Sequence, residues 1–145
     1  MIWNILSGED RLHRWKQLRI NIKDLSLDQQ LLLIADFYSK MPRGARSLDY
    51  YNPAEWPTPW EILFHGSFCI SSISLLIFYT LTLVDIEHKV ELYLIEDSDG
   101  VYLLPIIDDQ FVLNYQLGSV NNYSEISDNF TVLQKYPKEQ IKSIT

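Results

Sequence analysis

The chain has 145 residues, enough for one domain with a real core and too few for two. Hydrophobic residues make up 47% and charged residues 21%, the balance of an ordinary globular protein, and a formal net charge of −7 argues against unaided binding of nucleic acid or of an anionic membrane. A single cysteine, Cys69, excludes an internal disulfide and a cysteine-rich zinc site, and no cofactor motif is present.

Residues 1 to 15 hold no apolar stretch of the length a secretion signal needs. Residues 7 to 20 read as a helix capped by Ser7, with Glu9 and Asp10 in its first turn and Leu12, Trp15 and Leu18 on one face. Ser26 with Gln29 forms a capping box opening a second helix, which stops before Pro42 and carries Leu27, Leu31, Ile34 and Phe37 or Tyr38 at helical spacing. The stretch 42 to 57 is irregular, with Pro42, Gly44, Pro53 and Pro57. Arg43 and Arg46 there neighbour Tyr50, Tyr51 and Trp56, a pattern that serves structure or a protein contact in so acidic a chain.

Thr58, Pro59 and Glu61 start a short helix that Gly66 ends. Ser67 is then expected to cap a buried central helix, with Cys69 its second residue and an apolar run from Phe68 to Leu83. That run is about 16 residues, short of the roughly 20 that cross a bilayer, so it reads as core. After Leu83 the period drops to two: a strand from Val90, a turn through EDSDG, a return strand over Val101 to Ile107, a turn at Asp108 to Gln110, and a third strand over Phe111 to Tyr115. Pro105 in the return strand marks an edge or a bulge. Residues 116 to 129 read as a loop, followed by a strand over Thr131 to Tyr136 and a turn of helix after Pro137.

A Trp, a Thr-Pro, a Glu, a Leu, a Gly and a Cys, here Trp56, Thr58, Pro59, Glu61, Leu63, Gly66 and Cys69, resemble the approach to the nucleophile in bacterial transglutaminase-like cysteine proteinases. The resemblance spans residues 56 to 115. It implies an α+β fold, with N-terminal helices and a buried central helix packed on a small antiparallel sheet in a transglutaminase-like, broadly papain-like, core over residues 1 to 145. The residues around Cys69 depart from the family, with Phe68, Ile70 and Ser71 where it has acidic neighbours. The family places its histidine where the second strand begins, near residues 100 to 102, and its acid on the third strand. Here no histidine lies near residue 101, and Asn114 stands at the acid's position.

A cysteine peptidase needs a base beside the thiol and a group to orient that base. His88 opens the first strand, and the hairpin brings it close to Asp108 and Asp109, so Cys69, His88 and Asp108 form an alternative catalytic set. The 18 residues between Cys69 and His88 are largely consumed by the helix, which carries His88 to its far end. His65 reads as a cap of the short helix, and His13 lies on the first helix.

A second resemblance rests on Pro57 to Leu63, Gly66, Cys69, Ser71, Ser72, Thr80 to Leu83, Leu113 to Tyr115 and Gly118, and is to small uncharacterised proteins of tailed phages of cyanobacteria. It implies a virion or an infected cytoplasm as the setting. The expected function is therefore a transglutaminase-like domain without catalysis that binds other proteins of a larger assembly. Tyr50, Tyr51, Trp56 and Trp60 would form its contact surface. The alternatives are a cysteine peptidase or amidase using Cys69, and a regulator holding a small molecule in the vestigial cleft.

Overall fold

A computed structural model describes residues 3–44, 48–84 and 87–144; Arg46 lies outside the described residues. Among the described residues five α-helices and five strands follow in order: α1 (Gly8–Ile22), α2 (Leu27–Ser39), α3 (Pro59–His65), α4 (Ile70–Leu83), β1 (Val90–Asp97), β2 (Gly100–Ile107), β3 (Phe111–Val112), β4 (Asn121–Asn122), α5 (Tyr123–Ile126) and β5 (Thr131–Pro137). Capping places the helix starts. The Ser7 side chain accepts from the Asp10 amide, and both Ser26 with Gln29 and Thr58 with Glu61 close capping boxes. Gly66 ends α3 in the left-handed conformation at φ +72°, and its amide donates to the carbonyl of Ile62.

Cys69, not Ser67, caps α4. Its sulfur accepts from the Ser72 amide, its own amide donates to Ser72 Oγ at 2.8 Å, and the helix proper begins at Ile70. α4 is buried along nearly its whole length between the other helices and the sheet. Ser71 and Ser74, polar residues inside this apolar helix, tie it to β2: Ser71 Oγ accepts from the Leu103 amide at 3.1 Å, and Ser74 Oγ donates to the Leu103 carbonyl at 2.7 Å.

The sheet is antiparallel in the order β4-β3-β2-β1-β5. Period-two alternation sends Leu92, Leu94, Leu103 and Ile107 toward α4, and Tyr93, Ile95, Leu104 and Ile106 to the opposite face. That second face is not bare. The segment read as a loop forms β4 and α5, and Tyr123, Ile126 and Phe130 cover the sheet there. β3 is also shorter than its sequence pattern predicts. Pro105, in the interior of β2 opposite Leu92, accepts from the Leu113 amide but has no N–H to return, so the ladder stops after Val112.

Arg11, on α1, is 6% exposed. Its guanidinium donates to the carbonyls of Leu63, Trp3, Leu6 and Phe64, tying the C-terminal turn of α3 to the segment before α1.

Candidate functional site

The N-terminus of α4 meets the start of β2 in a cleft of about 140 Å³, walled by Gly44, Tyr50, Cys69, Ser71, Val101 and Tyr102. Cys69 is 3% exposed, with its sulfur turned to the helix amide it caps. Tyr50 is half-buried and its hydroxyl meets Ser71 Oγ at 3.0 Å. Across the cleft, where a base would face the thiol, β2 offers Val101 and Tyr102 and the turn before it a carboxylate, Asp99, but no imidazole. The Tyr102 hydroxyl donates to Asp97 at 2.5 Å, and burial together with that carboxylate pushes its pKa well above the ordinary phenol value.

Asn114, at φ +66°, holds the end of β3 against α4. Its Nδ2 donates to the Ile70 carbonyl at 2.8 Å and to Ser74 Oγ at 2.9 Å, while its Oδ1 accepts from Arg43 Nη2 at 2.5 Å. The group at the acid's position thus orients an arginine, not an imidazole. Burial lowers the Arg43 pKa from its ordinary value. The Gly44 amide donates to the Phe68 carbonyl at 2.6 Å, which seats this segment beside the residue preceding Cys69.

The three histidines lie elsewhere. His88 precedes β1, and its Nδ1 is 2.6 Å from Asp108 Oδ2, while Asp108 Oδ1 accepts from the Lys89 amide at 2.9 Å. Asp108 and Asp109 both adopt positive φ, +54° and +56°, in the three-residue connection from β2 to β3, and Lys89 Nζ reaches Asp109 at 3.2 Å. The proposed triad is therefore divided. Cys69 sits at the N-terminus of α4, whereas His88 and Asp108 sit past its C-terminus, about 20 Å away along the axis at 1.5 Å per residue. β1 runs back along α4 from that far end, so His88 starts the strand at the wrong end to reach the thiol. His65 is exposed at the end of α3, edge-on to Phe64. His13 is exposed on α1.

The aromatic contact surface is also divided. Tyr51 is 68% exposed and Trp60 42%, and Trp60 packs edge-on against Trp15. Trp56 is not on the surface: it is 1% exposed, donates from Nε1 to the Asp49 carbonyl at 2.7 Å, and packs edge-on against Tyr136. An indole in a Pro-rich stretch looks like a surface residue in sequence; the turn at 49–56 folds it inward. Of the residues that fix the cleft, Asn114 and Arg43 were singled out in the sequence but not as partners of each other, and Ser71 and Ser74 were not singled out as ties to β2.

No family model matches the chain, and no curated protein matches it. Solved structures do. Calcium-bound Legionella pneumophila LapG aligns over 95% of this chain and 83% of its own, at 10% identity and TM-score 0.70. Legionella pneumophila LapG aligns over 89% and 74% at 13% identity and TM-score 0.72, and its EGTA-treated form over 90% and 74% at 13% identity and TM-score 0.75. LapG is a bacterial transglutaminase-like cysteine protease, and at these identities the likeness shows the fold: this chain has a transglutaminase-like α+β fold.

Proposed function

We propose that this chain is a transglutaminase-like domain without catalysis, working as a protein-interaction or structural module. The observation that carries the reading is the cleft itself. Cys69 stands at the start of the central helix, but it is buried and capping that helix, and no histidine lines the cleft around it. A thiol needs an imidazole or an equivalent base within hydrogen-bond reach to attack a peptide carbonyl. Asn114, which in such a site would orient the base, is committed to Ile70, Ser74 and Arg43.

LapG is calcium-bound in one of its structures. Among the described residues of this chain no three His, Cys, Asp or Glu side chains converge, so they do not fit a calcium site. Other proteins of a larger assembly are the partners this reading implies, with Tyr51 and Trp60 as exposed aromatic anchors. The setting, a tailed-phage particle or the host cytoplasm, rests on the sequence resemblance. Among the described residues no helix is long and apolar enough to cross a membrane.

The test is cleavage of unfolded protein substrates by the wild-type chain and by Cys69→Ser. Equal, background-level cleavage is expected. Cleavage that depends on Cys69 would overturn the reading.

A further inference from the structure

The charges of this acidic chain are unevenly placed. Helix α1 and its C-cap hold five of the twelve cations, Arg11, Arg14, Lys16, Arg19 and Lys23, against two carboxylates, Glu9 and Asp10. The rest of the chain sets seven cations against seventeen carboxylates. Arg11 is used inside the fold and Arg19 lies over the Trp15 ring at 4.2 Å, whereas Arg14 and Lys16 are exposed and make no ion pair among the described residues.

Beside this cationic helix runs an open groove of about 600 Å³ with an apolar floor of Trp3, Leu6, Leu18 and Phe37 and a polar rim that includes both Asp10 and Arg14. On α2, Leu33 lies one turn before Phe37 and is 45% exposed, and Leu32 beside it is 59% exposed. Asp28 and Asp36 stand one turn to either side of Leu32, Asp36 also 3.5 Å from the Nζ of Lys40, the C-cap of α2, in an exposed pair. The two helices thus carry a groove with an apolar floor along a cationic α1 and, on α2, exposed leucines flanked by two carboxylates.

We propose that this surface binds a second copy of this chain. In a two-fold dimer the Leu32–Leu33 ridge of each protomer lies toward the groove of the other, and Arg14 and Lys16 of one α1 face Asp28 and Asp36 of the opposite α2. Charge complementarity argues for a second copy over an unrelated partner: Arg14 and Lys16 on α1 and Asp28 on α2 make no ion pair among the described residues, the exposed Asp36–Lys40 pair is open to exchange, and a two-fold axis matches the two helices twice. The arrangement packs four helices and covers the exposed leucines. It deepens the interaction reading above and rests on it.

The test is sedimentation velocity of the full chain over a wide concentration range. The expected result is a monomer–dimer equilibrium that weakens as salt is raised, since exposed charge pairs are screened. Leu33→Glu and Arg14→Glu are each expected to raise the dimer dissociation constant about tenfold or more with unchanged far-ultraviolet circular dichroism, and Arg14→Glu with Asp36→Arg to restore association. A chain monomeric at every concentration overturns the proposal, including one whose groove takes up a foreign peptide or an apolar carboxylate instead. A dimer insensitive to both substitutions overturns it as well. The outcomes separate from those for Cys69: a monomer with an inert thiol removes the dimer and leaves the non-catalytic reading standing, whereas cysteine-dependent cleavage removes that reading whatever the assembly state.

Discussion

Replacing Arg11 with Met keeps the length of the side chain and removes all its donors, leaving four carbonyls without their partner. Two of the bonds, to Leu63 at 2.5 Å and to Trp3 at 3.2 Å, are buried, whereas those to Leu6 and Phe64 are partly open to water. A buried carbonyl left unpaired costs about 1–3 kcal/mol, so the two buried ones set a loss of about 2–6 kcal/mol, with about 4 as the expected value. Against a total stability of about 5–15 kcal/mol that is a large fraction. At about 3–4 °C per kcal/mol for a domain of this size, Tm is expected to fall by roughly 12–15 °C. Urea unfolding followed by circular dichroism reads it as a lower midpoint at unchanged slope. Arg11→Lys, which keeps the charge but not the fork, should fall between the two. A loss below about 1 kcal/mol for Arg11→Met would refute the reasoning; α1 and α3 would then be held by apolar packing such as Trp15 on Trp60.

Gly66→Ala adds a Cβ 2.7 Å from the Arg11 guanidinium carbon at φ +72°, so it is expected to cost about 2 kcal/mol or more by urea unfolding, and less when Arg11 is already Met. Asn114→Ala removes two donors at the start of α4 and places Ala at φ +66°; a loss of about 2–4 kcal/mol is expected in the same assay. Burial raises the phenols of Tyr79 and Tyr93 to about 12. Because the folded values lie above the unfolded value of about 10, their stabilisation is complete below about pH 10 and is lost as pH climbs from there toward 12. The phenolate absorbance lost in Tyr79→Phe and in Tyr93→Phe should therefore be the part that appears late and together with unfolding, and early ionisation of both in the folded chain would contradict this.

Local chemistry made much of the fold legible. Capping boxes at Ser26 and Thr58, the left-handed stop at Gly66 and the alternation after Val90 each act over a few residues, and each appears where its pattern lies. What failed was a local use of an unusual residue, an element too short to show a period, or a contact set by distant partners. Cys69 caps α4 because a sulfur can accept the Ser72 amide, a weak use of cysteine that propensity does not anticipate. α5 was hidden in a polar segment because one helical turn with Tyr123 and Ile126 is too short to show a period. In the cleft, the absence of a histidine near residue 101 was visible in the sequence, and so was the closeness of His88 to Asp108 across the hairpin. That Asn114 would turn to Arg43, and Trp56 inward to Tyr136, was not, since both are set by the folding of loops.

The central claim is that Cys69 meets no histidine in its cleft among the described residues and serves as a buried helix cap. The most direct measurement is the rate at which iodoacetamide alkylates Cys69 near pH 6 in the native chain. At that pH an ordinary thiol is almost entirely protonated, and only one activated by a neighbour reacts quickly. The account predicts labelling no faster than the chain opens, accelerating with urea. Rapid labelling of the folded chain would mean an activated, accessible thiolate and would contradict it.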